Sequence, residues 1–163
     1  LMQDMREFEP GEKVSAVVSA CDSINYILEP EDLQAVFFCV SESLKEGGIF
    51  IFDVNTPYKY EVLMADNTIA ENRDEGSFIW DNYYDADEKI NEYDLTLFIK
   101  EQSEDDDIYK KFEETHFQRC YEISELKELL EQSGLVFDAV YDAYTDDQVK
   151  CDSEKVTVIA HKA

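Results

Sequence analysis

Phosphate-binding glycine patterns are missing from this sequence. Its five glycines, Gly11, Gly47, Gly48, Gly76 and Gly134, form no G-x-G-x-x-G and no G-x-x-x-x-G-K, so no such backbone cradle for a nucleotide phosphate is encoded. Cysteine and histidine are equally sparse. Cys21, Cys39, Cys120 and Cys151 stand alone and His116 and His161 are the only histidines; without a C-x-x-C pair a structural zinc site is excluded and no metal is expected. Cys21 and Cys39 fall in apolar stretches, which suits buried free thiols in a reducing compartment. No serine or cysteine sits in a nucleophile elbow, which argues against a hydrolase. Positive charge is scarce too: 14 basic against 39 acidic residues leave a net charge of −25. That field repels phosphate, so neither direct nucleic-acid binding nor attachment to an anionic membrane is expected. No apolar run reaches the roughly 20 residues of a membrane span and no signal-peptide pattern heads the chain, so a soluble, cytoplasmic protein is expected.

What is present is enough for a core. The 163 residues are 44% hydrophobic, with ten Phe and ten Tyr, which suits one globular domain over residues 1–163. Residues 14–20 (VSAVVSA) read as a parallel-sheet strand covered on both faces. After Pro30 the acids Glu31 and Asp32 favour a helix N-terminus, Leu33, Val36, Phe37, Val40 and Leu44 share one helical face, and Gly47 and Gly48 are expected to stop the helix. A second apolar strand, residues 49–54 (IFIFDV), completes a βαβ unit. Residues 66–120 change character. Aromatic and β-branched runs at 78–84, 92–100 and 109–119 predict an antiparallel meander, with the acidic run 104–107 as a hairpin tip. Between Asp66 and Asp107, 15 acidic residues face 3 basic ones, a net of −12. Ser124 is expected to cap a helix carrying Ile123, Leu126, Leu129 and Leu130 and ending at Gly134, before an antiparallel closing pair at 135–144 and 155–161.

Open α/β sheets bind ligands at the C-terminal ends of their parallel strands. There the sequence places Cys21, Asp22, Ser23, Asn25 and Tyr26 after the first strand and Asp53, Asn55 and Thr56 after the second. Ordinary turn chemistry accounts for the same residues, so spacing alone leaves the choice open.

Gln3-Asp4-Met5-Arg6, VSAVVSACDSINYI, LKEGGIFIFDVNTPYKY and ETHFQRCYEISELKELLEQSGL, in this order and spacing, resemble the later motifs of class I S-adenosylmethionine-dependent methyltransferases, especially a small bacterial subgroup with an antiparallel insertion. The resemblance implies an α/β fold: a partial Rossmann-like methyltransferase sheet of parallel strands plus the antiparallel closing pair, with residues 66–120 as an inserted β-meander. It implies S-adenosylmethionine as cofactor, bound by Asp4 and Met5 at the adenine and by Cys21, Asp22 and Ser23 beside the first strand. Asp22, Tyr26 and His116 become candidates for a base, and Asn25, Asn55, Tyr58, Trp80, Arg119 and Tyr121 for the walls of an acceptor site. Packing for Tyr26 and a sheet-surface place for His116 are the competing roles.

The family's first half, with its glycine-rich loop and ribose-binding acid, has no counterpart here. The expectation is therefore the C-terminal part of an enzyme that methylates a small-molecule acceptor, inactive as this piece alone. In the family's strand order residues 14–20 would then be an apolar edge, so that the piece either self-associates through it, for instance as a homodimer, or needs the missing half for a stable monomer. A non-catalytic module that docks a basic partner on its acidic meander is the rival reading.

Overall fold

The computed structural model describes residues 2–101 and 108–163. The acidic run at 104–107, expected as a hairpin tip, lies outside the described residues.

The described residues form two four-stranded sheets. In the first, β1 (Val14–Ser19) pairs in parallel with β2 (Leu44–Asn55), which pairs antiparallel with β8 (Lys155–Lys162), itself antiparallel to β7 (Leu135–Asp142). The order β1-β2-β8-β7 puts the predicted parallel unit beside the predicted closing pair. Strand β1 lies at the sheet edge: Val17 packs on the core, but Val18 is 66% exposed, so only one face is covered where two were expected.

Helix α1 (Pro30–Ser43) follows from its sequence. Proline supplies a fixed φ at the first position, Glu31 and Asp32 complement the helix dipole, and Leu33, Val36, Phe37 and Val40 are buried. Phe37 meets Phe50 and Phe52 of β2 at ring-centroid distances of 5.8 and 5.4 Å. Each such side chain contributes about 1.5–3 kcal/mol on full burial. The glycine pair does not stop this helix. Leu44 is already extended, and Gly47 (φ 70°) and Gly48 lie within β2, where the register to β1 shifts between Val14 and Ala16. A Cβ on Gly48 would stand 2.8 Å from the Lys45 carbonyl oxygen, so the bulge, not helix termination, accounts for that glycine.

Helix α2 (Ile123–Gln132) buries Leu126 and Leu130 in the same core and stops at Gly134 (φ 79°), as expected. Ser124 is not its cap: the N-cap is Glu122 and no side chain closes the first turn.

The second sheet, β3-β4-β5-β6, is an antiparallel meander of Thr68–Arg73, Gly76–Asp85, Ile90–Lys100 and Tyr109–Arg119. Its last three strands contain the predicted ones. Strand β3, exposed along its whole length, was not anticipated. The register aligns Asn82, Tyr93 and His116 across one face, with Trp80, Leu95 and Glu114 in the next row and Tyr84, Asn91 and Gln118 in the row on the other side. Among the described residues no helix is long and apolar enough to cross a membrane.

Candidate functional site

The C-terminal ends of β1 and β2 open onto a turn with unusual backbone. Cys21 and Asp22 both adopt left-handed φ, 61° and 51°, before a short 3-10 turn at Ser23–Tyr26. A non-glycine residue in that region costs about 1–2 kcal/mol, so two in succession need holding in place. Cys21 is exposed here, contrary to the buried thiol expected, because the chain leaves the sheet one residue before it.

The holding groups converge from distant segments. The Asp22 N–H donates to both carboxylate oxygens of Asp53 at 3.3 and 3.2 Å. The ammonium of Lys155 bridges Asp22 at 2.9 Å and Asp53 at 2.8 Å, with Asp53 only 2% exposed. Tyr144 donates its hydroxyl to Asp53 at 2.8 Å, and Gln118 and Asn55 donate side-chain N–H groups to Asp22 at 2.8 and 3.2 Å. Burial would raise the Asp22 carboxyl, but hydrogen bonds from Lys155 and Gln118 and the Lys155 charge outweigh it and hold it below the carboxylate range. Burial likewise opposes the Lys155 charge, yet Asp53 and Asp22 keep that ammonium well above the usual lysine range. Lys59 donates to Asn55 at 3.0 Å and has no carboxylate partner among the described residues, and burial pulls it down. Asp22 is therefore a carboxylate already committed to three donors, and it is a poor proton acceptor.

Beside the turn an open groove of about 680 Å³ is lined by Gln3, Asp4, Met5, Ser23, Tyr26 and Asp32, among others. Asp4 lies in the exposed wall, where the Arg6 guanidinium and backbone N–H hold its carboxyl at about 2. Arg6 also reaches Asp32 in the first turn of α1 at 2.8 Å, tying the segment to the helix. Two of the Asp4 bonds fall on Oδ1 and one on Oδ2, which leaves Oδ2 room for a further donor. A second groove of about 580 Å³, between Arg6–Lys13 and the Phe38 side of α1, contains none of the strand-end residues.

Tyr26 joins this groove to the meander. Its hydroxyl pairs with that of Tyr93 and lies 3.4 Å from Nδ1 of His116, whose Nε2 lies 3.1 Å from the Glu114 carboxylate. The Tyr93 and His116 rings stack at 4.8 Å, Tyr26 meets His116 edge-on at 5.9 Å, and Trp80 tilts against Tyr93 at 5.2 Å. Burial and the Tyr26 hydroxyl push the Tyr93 phenol well above the usual range, so Tyr93 stays a neutral donor.

The structure thus brings Asp4, Met5, Ser23, Tyr26, His116 and Trp80 to adjoining positions, with Cys21 and Asp22 at the turn. It sends others elsewhere. Asn25 is fully buried, donating to the Arg119 carbonyl and accepting from the Asn55 N–H, and Asn55 is 1% exposed, so both brace the strand ends. Tyr121 lies in the main core, 1% exposed, its hydroxyl donating to the Ile27 carbonyl at 2.6 Å. Arg119 packs over its ring at 5.4 Å and reaches Glu125 at 3.5 Å. Tyr58 lines a separate cavity of about 400 Å³ with Ile123 and Val149. Sequence reasoning missed Lys155, Gln118, Tyr144, Tyr93 and Glu114. One signal was available: Asp53 sits in an otherwise apolar strand, and a carboxylate buried there requires a cation. Among the described residues no group of three or more His, Cys, Asp and Glu side chains is arranged to hold a metal ion.

No protein-family model matches the chain. It is 32% identical over 164 residues to YqeM of Bacillus subtilis (strain 168), whose name describes it provisionally as a methyltransferase; the match covers 100% of this chain and 65% of that protein. Among solved structures, an S-adenosylmethionine-dependent methyltransferase from Clostridium acetobutylicum ATCC 824 superposes with a TM-score of 0.92 at 28% identity, over 100% of this chain and 64% of that one. A dTDP-3-amino-3,4,6-trideoxy-alpha-D-glucopyranose N,N-dimethyltransferase of Streptomyces venezuelae is 34% identical over 67 residues, which are 41% of this chain and 27% of that protein. The chain therefore spans just under two thirds of the length of the first two.

Proposed function

We propose, from the premise that this chain belongs to the class I S-adenosylmethionine-dependent methyltransferases, that it forms the adenine-side wall and the acceptor site of an enzyme methylating a small molecule. The observation that carries the reading is the Tyr26–His116–Glu114 chain, standing where the strand-end groove meets the meander.

The groove residues fit the cofactor. Asp4 keeps a lone pair for an amino group, Met5 offers an apolar neighbour, and about 680 Å³ falls within the range of small-molecule sites. When bound, S-adenosylmethionine supplies an electrophilic methyl group on a sulfonium. The protein's part is to position the acceptor and take its proton. With the His116 proton on Nε2 facing Glu114, Nδ1 accepts from the Tyr26 hydroxyl, and Tyr93 donates to the Tyr26 oxygen. One Tyr26 lone pair is then left to take a proton from a bound acceptor. As that proton arrives, Tyr26 passes its own proton to Nδ1 and Glu114 balances the imidazolium. Asp22 has no part in this transfer, since Lys155, Gln118 and Asn55 occupy its carboxylate. An amine is the acceptor class to test first, following the amino-sugar N,N-dimethylation in the name of the Streptomyces venezuelae relative.

The test uses the full-length protein with methyl-labelled S-adenosylmethionine and a panel of small amines and amino sugars. Label should pass to an amine, and Tyr26→Phe and His116→Ala should slow transfer about 100-fold or more while S-adenosylhomocysteine affinity stays within threefold. Equal rates in the variants would refute the proton path. The acidic meander as a dock for a basic partner is set aside, because the relatives bear methyltransferase names.

A further inference from the structure

The Lys155 cluster is not accounted for by proton transfer or by the groove contacts. Its chemistry points at one target. Cys21 and Asp22 hold left-handed backbone without glycine, and the groups that fix Asp22 and its partner Asp53 arrive from β2 (Asp53, Asn55), β6 (Gln118), the segment after β7 (Tyr144) and the first residue of β8 (Lys155). The Asp22 amide and carboxylate are gripped separately, the amide by Asp53 and the carboxylate by Lys155, and Lys155 also closes on Asp53. This is a ring: Asp22 N–H to Asp53, Asp53 to Lys155, Lys155 back to Asp22. Such a ring fixes both the φ of Asp22 and the direction in which the chain enters Ser23–Tyr26.

We propose that Lys155 is a positioning residue that locks the Cys21–Asp22 turn in its left-handed form and thereby sets Ser23 against the cofactor and Tyr26 against the acceptor. The proposal rests on the methyltransferase reading for what the turn faces, but the lock itself does not. Among the described residues the Lys155 ammonium pairs with Asp22 and Asp53 and lies over the Tyr144 ring, so it acts on the turn through Asp22. Tyr144, 71% exposed but hydrogen-bonded to buried Asp53, is the outer closure of the ring.

The test compares the full-length wild type with Lys155→Met and with Lys155→Met/Asp53→Asn, in which Asp53 no longer leaves a buried charge without its partner. Amide exchange at Asp22, measured without cofactor, should quicken at least tenfold in both variants. S-adenosylhomocysteine affinity by calorimetry should fall about tenfold. Adding Cys21→Gly should recover part of that affinity, because glycine adopts the left-handed φ at position 21 without the steric cost that the cysteine carries. Should Lys155→Met fail to fold, the double variant carries the test. A lower melting temperature with unchanged Asp22 exchange and unchanged affinity would mean ordinary structural support and would overturn the lock. Lack of S-adenosylhomocysteine binding by the wild type would instead refute the cofactor reading, and the exchange result would still decide the lock.

Discussion

Removing the Asp53 carboxylate should destabilise the protein far more than the loss of one surface acid. Asp53 is 2% exposed and receives Lys155 at 2.8 Å, the Tyr144 hydroxyl at 2.8 Å and the Asp22 amide at 3.2 Å. In Asp53→Ala the Tyr144 hydroxyl, on an exposed ring, returns to water at little cost. The Asp22 amide loses its acceptor, a penalty of about 1–3 kcal/mol. Lys155 is left 17% exposed with Asp22 alone, and breaking a buried ion pair costs about 3–5 kcal/mol in total. At a urea slope of about 2 kcal/mol/M the unfolding midpoint should fall by about 1.5–2.5 M. Asp53→Asn keeps an acceptor and should lose about half as much. The sign of the pH dependence follows from the partners. Asp22 is depressed in the folded state, so its contribution is complete above about pH 5 and fades as pH falls through its folded pKa. Lys155 is raised, so its contribution is complete below about pH 10 and fades as pH rises. Because Asp53 is among the groups that raise Lys155, the difference between wild type and Asp53→Ala should be constant below about pH 10 and shrink above it. A loss below about 1 kcal/mol, or equal losses in Ala and Asn, would refute the buried-cluster argument.

Thiol labelling provides another check. Burial pushes the Cys120 thiol up to about 12 and leaves its residue 2% exposed, whereas Cys21 and Cys151 are exposed; iodoacetamide at pH 8 should label the latter two first, by mass spectrometry, and rapid native labelling of Cys120 would contradict its placement. Gly134→Ala should cost about 1–2 kcal/mol in urea unfolding, since φ is 79° and the new Cβ would stand 3.4 Å from the Ser41 hydroxyl oxygen; a neutral change would mean that α2 ends differently.

Segments whose burial follows a simple period were legible in the sequence. The 3.6-residue spacing of Leu33, Val36, Phe37 and Val40 identified α1, and the apolar run 49–54 identified the core of β2. Gly47 and Gly48 misled because a glycine pair marks a helix stop and a strand bulge equally well, and only the shifted pairing with β1 distinguishes them. Strand β3 escaped because every residue is exposed and no face alternates. For the site, Asp4, Met5, Ser23 and Tyr26 were accessible through family resemblance and do share a groove. Lys155, Gln118 and Tyr93 were not, since they meet Asp22 and Tyr26 across 133, 96 and 67 residues of sequence, a register that only the folded sheets define.

The proposed cofactor edge can be tested directly. Hydrogen exchange of the full-length protein with and without saturating S-adenosylhomocysteine reads this without knowledge of the acceptor. Protection is expected at Gln3–Arg6 and at Cys21–Tyr26, the two segments that share the 680 Å³ groove and its turn, with little change in β3 or at the outer end of β4. No protection at either segment, or protection confined to the groove between Arg6–Lys13 and Phe38, would contradict the assignment of this edge as the cofactor site.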